Sequence, residues 1–280
     1  MNELFVFDDE QSGFESLVNA NGDAYWYASD LARMLGYGNY RPFQKAVQKA
    51  MTACVTLEIS MAENFQQEQR TVGGEEILDY RLSRFACYLT SINADISKPR
   101  VAEAQTYFLT LAEAFRQYVQ GPDNVERVLV RDQISQHEKS LSGAAQQAGV
   151  TSYALFQDKG YRGLYNMSLG RLKQYKGYVG NRPLLDFMGE TELAANLFRI
   201  TQTKEKIRKE NIKGQKNLED TAFTVGQKVR KTMREINGTR PEDLPLAEDI
   251  KKVRSGIKRA SREFKKLDKP KKDRGKSADE

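Results

Sequence analysis

The spacing of apolar residues divides the chain into a mixed first part and a longer helical one. Phe14–Val18 and Ala24–Tyr27 read as two strands of a hairpin around the turn Asn19–Gly22. Ser29 stands where a helix cap is needed, before a short helix, Asp30–Leu35, that Gly36 stops. After Gly36-Tyr-Gly-Asn-Tyr40, Pro42 falls in the first turn of a second helix that runs to Met51. Its apolar face is Phe43, Ala46, Val47 and Ala50, and Arg41, Lys45 and Lys49 lie four apart on the other face. Ile77–Leu82 alternates, with Leu78, Tyr80 and Leu82 on one side and Ile77, Asp79 and Arg81 on the other, as in a half-buried strand. Ser83 caps a helix striped by Phe85, Leu89 and Ile92. Pro99 opens a long helix whose Val101, Ala104, Phe108, Leu111, Phe115 and Tyr118 recur at spacings of three and four. Gly121–Asn124 ends it and is the predicted domain boundary.

Beyond that boundary the periodicity is helical almost throughout. A polar helix is predicted over Val125–Ala148, stopped by Gly149, and another over Glu192–Lys209, capped by Thr191. Residues 160–180 are rich in glycine and tyrosine and follow neither the helical nor the strand period. Thr221–Ile236 is a further helix, packed through Phe223, Val225, Val229, Met233 and Ile236. A last, basic amphipathic helix covers Ala247–Leu267, with Ile250, Val253, Ile257 and Phe264 as its seam, and from Asp268 onward the reading is a disordered tail. The expected architecture is therefore an α/β (α+β) domain over 1–120, a mostly helical domain over 125–245, and a basic helix with its tail over 246–280.

Charge sharpens this division. The chain carries +6 overall, yet its first 120 residues hold ten basic and sixteen acidic residues, whereas residues 251–280 hold thirteen and five. That asymmetry suggests a cationic arm able to engage phosphates, with a solvated solubility tail as the plain alternative. The acidic start, Met1–Glu10, lacks the basic and apolar regions of a signal peptide, and no stretch approaches the ~18 apolar residues of a membrane span. Cys54 and Cys87 are too few for a disulfide framework and read as small buried hydrophobes. The expected setting is the cytoplasm, with association to the nucleoid if DNA is bound.

Three stretches carry candidate chemistry. The segment Ser29–Met51 follows the helix-turn-helix plan, in which the Arg41, Lys45 and Lys49 face would enter a groove; a purely structural helix pair has the same pattern. Between Tyr153 and Arg182, six cations face one acid and are interleaved with aromatic rings. Tyr161, Arg162, Tyr165, Arg171, Lys173 and Lys176 would there form a single-strand surface of stacking rings and backbone-following cations. The alternative is an aromatic mini-core with the cations turned outward. Lys258, Arg259, Lys265 and Lys266 on the last helix would hold DNA without regard to sequence. Catalysis finds little support: His137 sits in a polar helix, no Cys/His cluster has zinc spacing, and no Gly-rich phosphate loop appears. No cofactor and no metal are expected.

Several stretches also resemble known families. Trp26-Tyr-Ala-Ser-Asp-Leu-Ala-Arg-Met-Leu-Gly-Tyr37 is similar to the opening of the Bro-N domain of viral Bro proteins and phage antirepressors. Leu82–Leu89, Lys98–Phe108, Ala144–Val150, Phe156–Tyr165, Met188–Arg199, Gly226–Lys231 and Gly238–Pro245 resemble, in order, the DNA-damage-inducible protein D family. The resemblance implies a bacterial protein of the SOS response, linked to recombinase filaments on DNA, and it brings no catalytic residues with it. The expectation is a non-catalytic protein that binds DNA, single-stranded by preference, or a recombinase filament, and so modulates recombination or repair. The alternatives are a metal-dependent nuclease and an antirepressor acting by protein–protein contact. No membrane partner is expected, and homo-oligomerisation stays open.

Overall fold

A computed structural model describes residues 13–19, 23–111 and 122–269. Two units emerge, and the chain crosses between them twice: one comprises residues 1–122 with 254–280, the other residues 123–253.

The first unit is α+β. A 3₁₀ turn, Phe14–Leu17, stands where a strand was expected. Of the expected hairpin, whose turn residues 20–22 lie outside the described residues, one bridge joins Asn19 to Tyr25, and Trp26–Tyr27 (β1) pairs with a strand far along the chain. Helix α1 spans Ala28–Met34, and its cap is not Ser29, whose hydroxyl donates to the buried Asp79 carboxylate at 2.5 Å. Helix α2 spans Tyr40–Thr56, capped by the Asn39 side chain, which accepts from the Arg41 N–H. A one-turn helix α3, Met61–Asn64, leads into β2, Phe65–Val72, and β3, Glu75–Leu82. The sheet order is β1-β3-β2, antiparallel throughout. The β2 sequence, Phe-Gln-Gln-Glu-Gln-Arg-Thr-Val, is too polar to announce a strand, which is why periodicity found only its partner. Asp79 departs from the expected alternation: it is fully buried, held by the Ser29 N–H, the Ser29 hydroxyl and the Tyr80 N–H. Arg70 lies 3.5 Å from it and bonds Asp30 at 2.8 Å, so a carboxylate that alternation would leave in water is satisfied inside.

Ser83 caps α4, Arg84–Ile92, by accepting from the Ala86 N–H, and every residue of that helix is buried. Helix α5, Pro99–Leu111, places Val101, Ala104 and Phe108 in the same core; the expected packing of Phe115 and Tyr118 lies outside the described residues.

The partner of the basic C-terminal helix is this core. The expected seam of that helix is buried, but its separation as an appendage is not correct, because the apolar face beyond Val253 completes the first unit. Phe264 packs against Tyr88, Phe85 and Phe108 with ring centroids 5.7, 6.2 and 6.4 Å apart, and Ile257 and Ala260 are buried beside it. Asp268, where disorder was expected to begin, is buried and receives the backbone N–H and the Nε of Arg84, each at 3.0 Å. Arg84 also pairs with Glu15, and its guanidinium lies 4.7 Å from the Trp26 ring. Burial pushes the Glu15 carboxyl up, and hydrogen bonds from Arg84 and Tyr107 more than offset it, leaving it below the usual glutamate value. Asp268 stays above the usual aspartate value because its burial outweighs the Arg84 contacts. The tail beyond Lys269 lies outside the described residues.

The second unit is helical: α6, Pro122–Gln147; α7, Tyr153–Tyr165; α8, Leu169–Tyr175; α9, Glu190–Lys209; and α10, Gln215–Asn237. The final helix, α11, Ile250–Asp268, begins here and continues into the first unit. Gly149 ends the α6 segment at φ +86°, as read from sequence. The Gln215 side chain accepts from the Thr151 and Ser152 N–H groups, at 2.7 and 2.9 Å, and so ties the start of α10 to the start of α7. These two helices then cross at backbone contact: a Cβ on Gly163 would stand 2.2 Å from the Phe223 carbonyl oxygen. One on Gly226 would stand 2.7 Å from the Gly160 oxygen. Two of the glycines that obscured the period of 160–180, Gly160 and Gly163, are thus residues of a tight helix crossing.

Candidate functional site

The central aromatic stretch is core, not surface. Tyr161 and Tyr165 are 2% and 0% exposed, stack on each other with centroids 5.9 Å apart, and belong to one cluster with Phe156, Leu164, Leu172 and Met188. The Tyr165 hydroxyl accepts from Asn196 at 2.7 Å, and burial raises its pKa well above the tyrosine value. Rings held this way have no face to offer a base, so the stacking role expected of both residues is corrected. Lys176 is corrected as well: its side chain is 2% exposed and pairs with the buried Glu192 at 3.1 Å while donating to the Leu244 carbonyl. Desolvation keeps the Glu192 carboxyl above its usual value even with that lysine beside it. Of the expected patch, Arg162 is exposed but bonded to Asp158 at 2.7 Å, Arg171 is exposed, and Lys173 is half-buried with its ammonium 5.9 Å from the Tyr178 ring.

The cations of α11 divide in the same way. Lys258 pairs with Glu58 at 2.7 Å and Lys265 with Glu63 at 2.8 Å, clasping α11 to the acidic loop and turn between α2 and β2. Lys266 bonds Glu263 within its own helix, and Arg259 is exposed. Such exposed pairs contribute little individually and exchange easily with other anions, so they remain open to phosphate. Three of the four cations expected to hold DNA, Lys258, Lys265 and Lys266, thus already have acidic partners. Residues 1–122 carry ten basic and sixteen acidic groups and residues 254–280 carry eleven and five, so the first unit is neutral; the second, with twenty-three and seventeen, carries the whole +6.

The row Arg41, Lys45 and Lys49 is different. All three side chains are exposed on the outer face of α2, and among the described residues none enters an ion pair. The turn before them brings Tyr37, Gly38 and Asn39 to the mouth of a groove of about 850 Å³ that runs between α1, the start of α2 and the β2–β3 hairpin. Arg33 and Arg41 stand on the helical side of this groove, and Glu75 and Glu76 on the hairpin side. The arrangement is a short helix, a tight turn and a longer cation-bearing helix, with a hairpin alongside.

One surface escaped the sequence reading. On α9, Phe198, Gln202, Lys206 and Lys209 face Val225, Lys228, Val229 and Thr232 of α10 across a groove of about 390 Å³. Phe198 is 55% exposed there, although it continues an otherwise ordinary helical pattern. Its neighbours Leu193, Leu197 and Ile200 already form a sufficient seam, and that surplus apolar position was the available signal. Among the described residues no group of three or more His, Cys, Asp or Glu side chains is placed to hold a metal ion. No helix among them is long and apolar enough to cross a membrane.

Comparison with known proteins places the chain. Residues 122–253 match the family model described as the DinD C-terminal domain, nearly the same span as the second unit. DNA damage-inducible protein D of Escherichia coli (strain K12) is 39% identical over 260 residues, covering 86% of this chain and 94% of that protein. The chain belongs to the DNA damage-inducible protein D family. Membership therefore rests on both units: the DinD C-terminal domain accounts for the helical insert, and the 94% coverage carries the likeness through the α+β unit as well.

Proposed function

We propose that this protein serves the DNA-damage response as a non-catalytic binder of DNA, or of the recombinase filament assembled on it. The name of the Escherichia coli relative supports the damage context. The α+β unit is read as a Bro-N-type domain, on the Trp26–Tyr37 resemblance and the helix–turn–helix that follows. The observation that carries DNA contact is the unpaired, exposed row of Arg41, Lys45 and Lys49 on α2. Those cations lie four residues apart, about 6 Å along a helix axis, which suits contact with successive phosphates or entry into the major groove.

A second reading, contact with the filament protein, draws on the Phe198 groove. An exposed aromatic over an apolar floor, rimmed by Lys206, Lys209 and Lys228, is the kind of surface that anchors a protein partner. A titration against single-stranded DNA, duplex DNA and bare recombinase, at two salt concentrations, tests both. Exchanging Arg41, Lys45 and Lys49 together for alanine should weaken DNA binding. It should also flatten the dependence of log K on log salt by about 0.7 to 0.9 per lost contact. Unchanged affinity and slope would remove α2 as the DNA surface, and a Phe198→Ala variant that alone loses recombinase binding would give the contact to the second unit.

A further inference from the structure

We infer that the outer edge of β2 is a self-association surface, through which two copies of the chain pair antiparallel about Gln69. The argument begins with the sheet order β1-β3-β2, which leaves β2 bonded on one side only. Its register with β3 is unbroken from Phe65↔Leu82 to Val72↔Glu75, so no bulge twists the edge away. The strand is eight residues long and contains neither proline nor lysine. Among the described residues no main-chain hydrogen bond reaches its outer side, and Gln66, Gln67, Gln69 and Thr71 are exposed. Long, regular edge strands lacking these protections act as templates for another strand.

The register of the hairpin says which groups face outward. Gly73 and Gly74 both have positive φ, +62° and +87°, so the connection is the two-residue turn in which the flanking pair, Val72 and Glu75, is hydrogen-bonded. Bonded and non-bonded pairs then alternate, and the N–H and C=O groups of Gln67, Gln69 and Thr71 point away from β3. A two-fold axis beside Gln69 sets Gln69 opposite Gln69 of the second copy and Gln67 opposite Thr71, all with outward main-chain groups.

Charge selects this register over its competitors. With Gln69 on the axis, Glu68 of each copy opposes Arg70 of the other in a non-hydrogen-bonded pair, where side chains are closest. Glu68 already bonds Arg81, at 2.8 Å from Nη2 to Oε1, and Arg70 bonds Asp30 at 2.8 Å. Association therefore links these pairs into one alternating chain of charges across the axis. Parallel pairing would instead bring Glu68 near Glu68 and Arg70 near Arg70. An axis at Gln67 or Thr71 would shorten the overlap and unmatch the charges. The occupant that fits this edge is a second copy of this chain.

The test uses the full chain. Light scattering during size exclusion, over a range of concentrations, should give twice the mass of one chain for the parent. Gln69→Pro removes an outward N–H without costing a bond to β3, so it should yield a monomer that melts like the parent. A register test is independent of that variant. Opposed residues of a bonded antiparallel pair lie ~5.5 Å apart at Cα, within disulfide range. Gln69→Cys should therefore form a disulfide-linked dimer on mild oxidation, with loss of two electrons and two protons to the added oxidised glutathione. Gln67→Cys alone should not, because it opposes Thr71. Cys54 and Cys87 are buried and leave the parent as a clean control. A parent that stays monomeric at all concentrations would overturn the proposal. So would a dimer that survives Gln69→Pro, or one in which Gln67→Cys and Gln69→Cys link equally well.

Discussion

At the scale of single residues, burial decides what a side chain can do. A tyrosine flanked by cations has the composition of a base-stacking surface, and the sequence around Tyr161 and Tyr165 matches that composition. The helix it forms turns both rings inward, where Tyr161 meets the buried Arg199 guanidinium at 5.0 Å and Tyr165 accepts from Asn196. Tyr165→Ala should cost about 3–5 kcal/mol of stability, the range for removing a buried aromatic ring. The folded fraction should bind DNA as the parent does. Thermal melts run beside binding titrations check this, and a variant that melts like the parent but binds single strands poorly would return the ring to the surface. The α2 row was legible because charge at every fourth position survives any packing on the opposite face. The inward turn of the tyrosines was not, because no periodicity marks a helix whose contact face is made of glycine.

Elements are set by what they pack against, which local propensity sees only in part. Helices α2, α4, α5, α9, α10 and α11 could be read from their apolar spacing, whereas α7 could not, since its contact with α10 runs through Gly160, Gly163 and Gly226. The same contact explains the buried Arg199: a Cβ on Gly160 would stand 2.3 Å from its Nη1, so the missing side chain is the space the guanidinium occupies. Strand β2 was missed for the opposite reason, its residues being polar on both faces because it lies at an edge. Gly163→Ala tests the crossing. With a main-chain oxygen 2.2 Å from the new methyl, the helices must separate, and overpacking of this kind costs about 1–3 kcal/mol or more. Gly170→Ala, at a position with nothing within 4 Å, should leave the melting temperature unchanged or raised. Equal effects at the two positions would mean that the close crossing is absent in solution.

For the whole molecule, the decisive fact is that the chain returns. Apolar spacing and charge alone predict a boundary near residue 121 and a basic end that stands apart as an appendage. Periodicity along the chain carries no sign that Ile257 and Phe264 complete a core begun at Phe14. The helical unit is instead an insertion within the α+β unit, and the acidic first part and basic last part are two halves of one neutral body. Fragments should show this directly. A fragment of residues 1–120 lacks α11, so the faces of Phe85, Tyr88 and Phe108 that meet Phe264 are left to water, and Arg84 loses Asp268. It should show little cooperative unfolding and resist proteolysis poorly. Residues 123–253 hold their own core and should unfold cooperatively alone. Adding a peptide of residues 250–280 to the first fragment should restore cooperativity, because the missing contacts are those of one amphipathic helix. That rescue should weaken with salt, since Lys258–Glu58 and Lys265–Glu63 are exposed pairs open to screening. Phe264→Ala in the peptide should abolish the rescue, whereas Lys266→Ala, which removes only a pair internal to the helix, should not. A stable, cooperative 1–120 fragment would show that the N-terminal core closes by itself and that α11 merely rests on it.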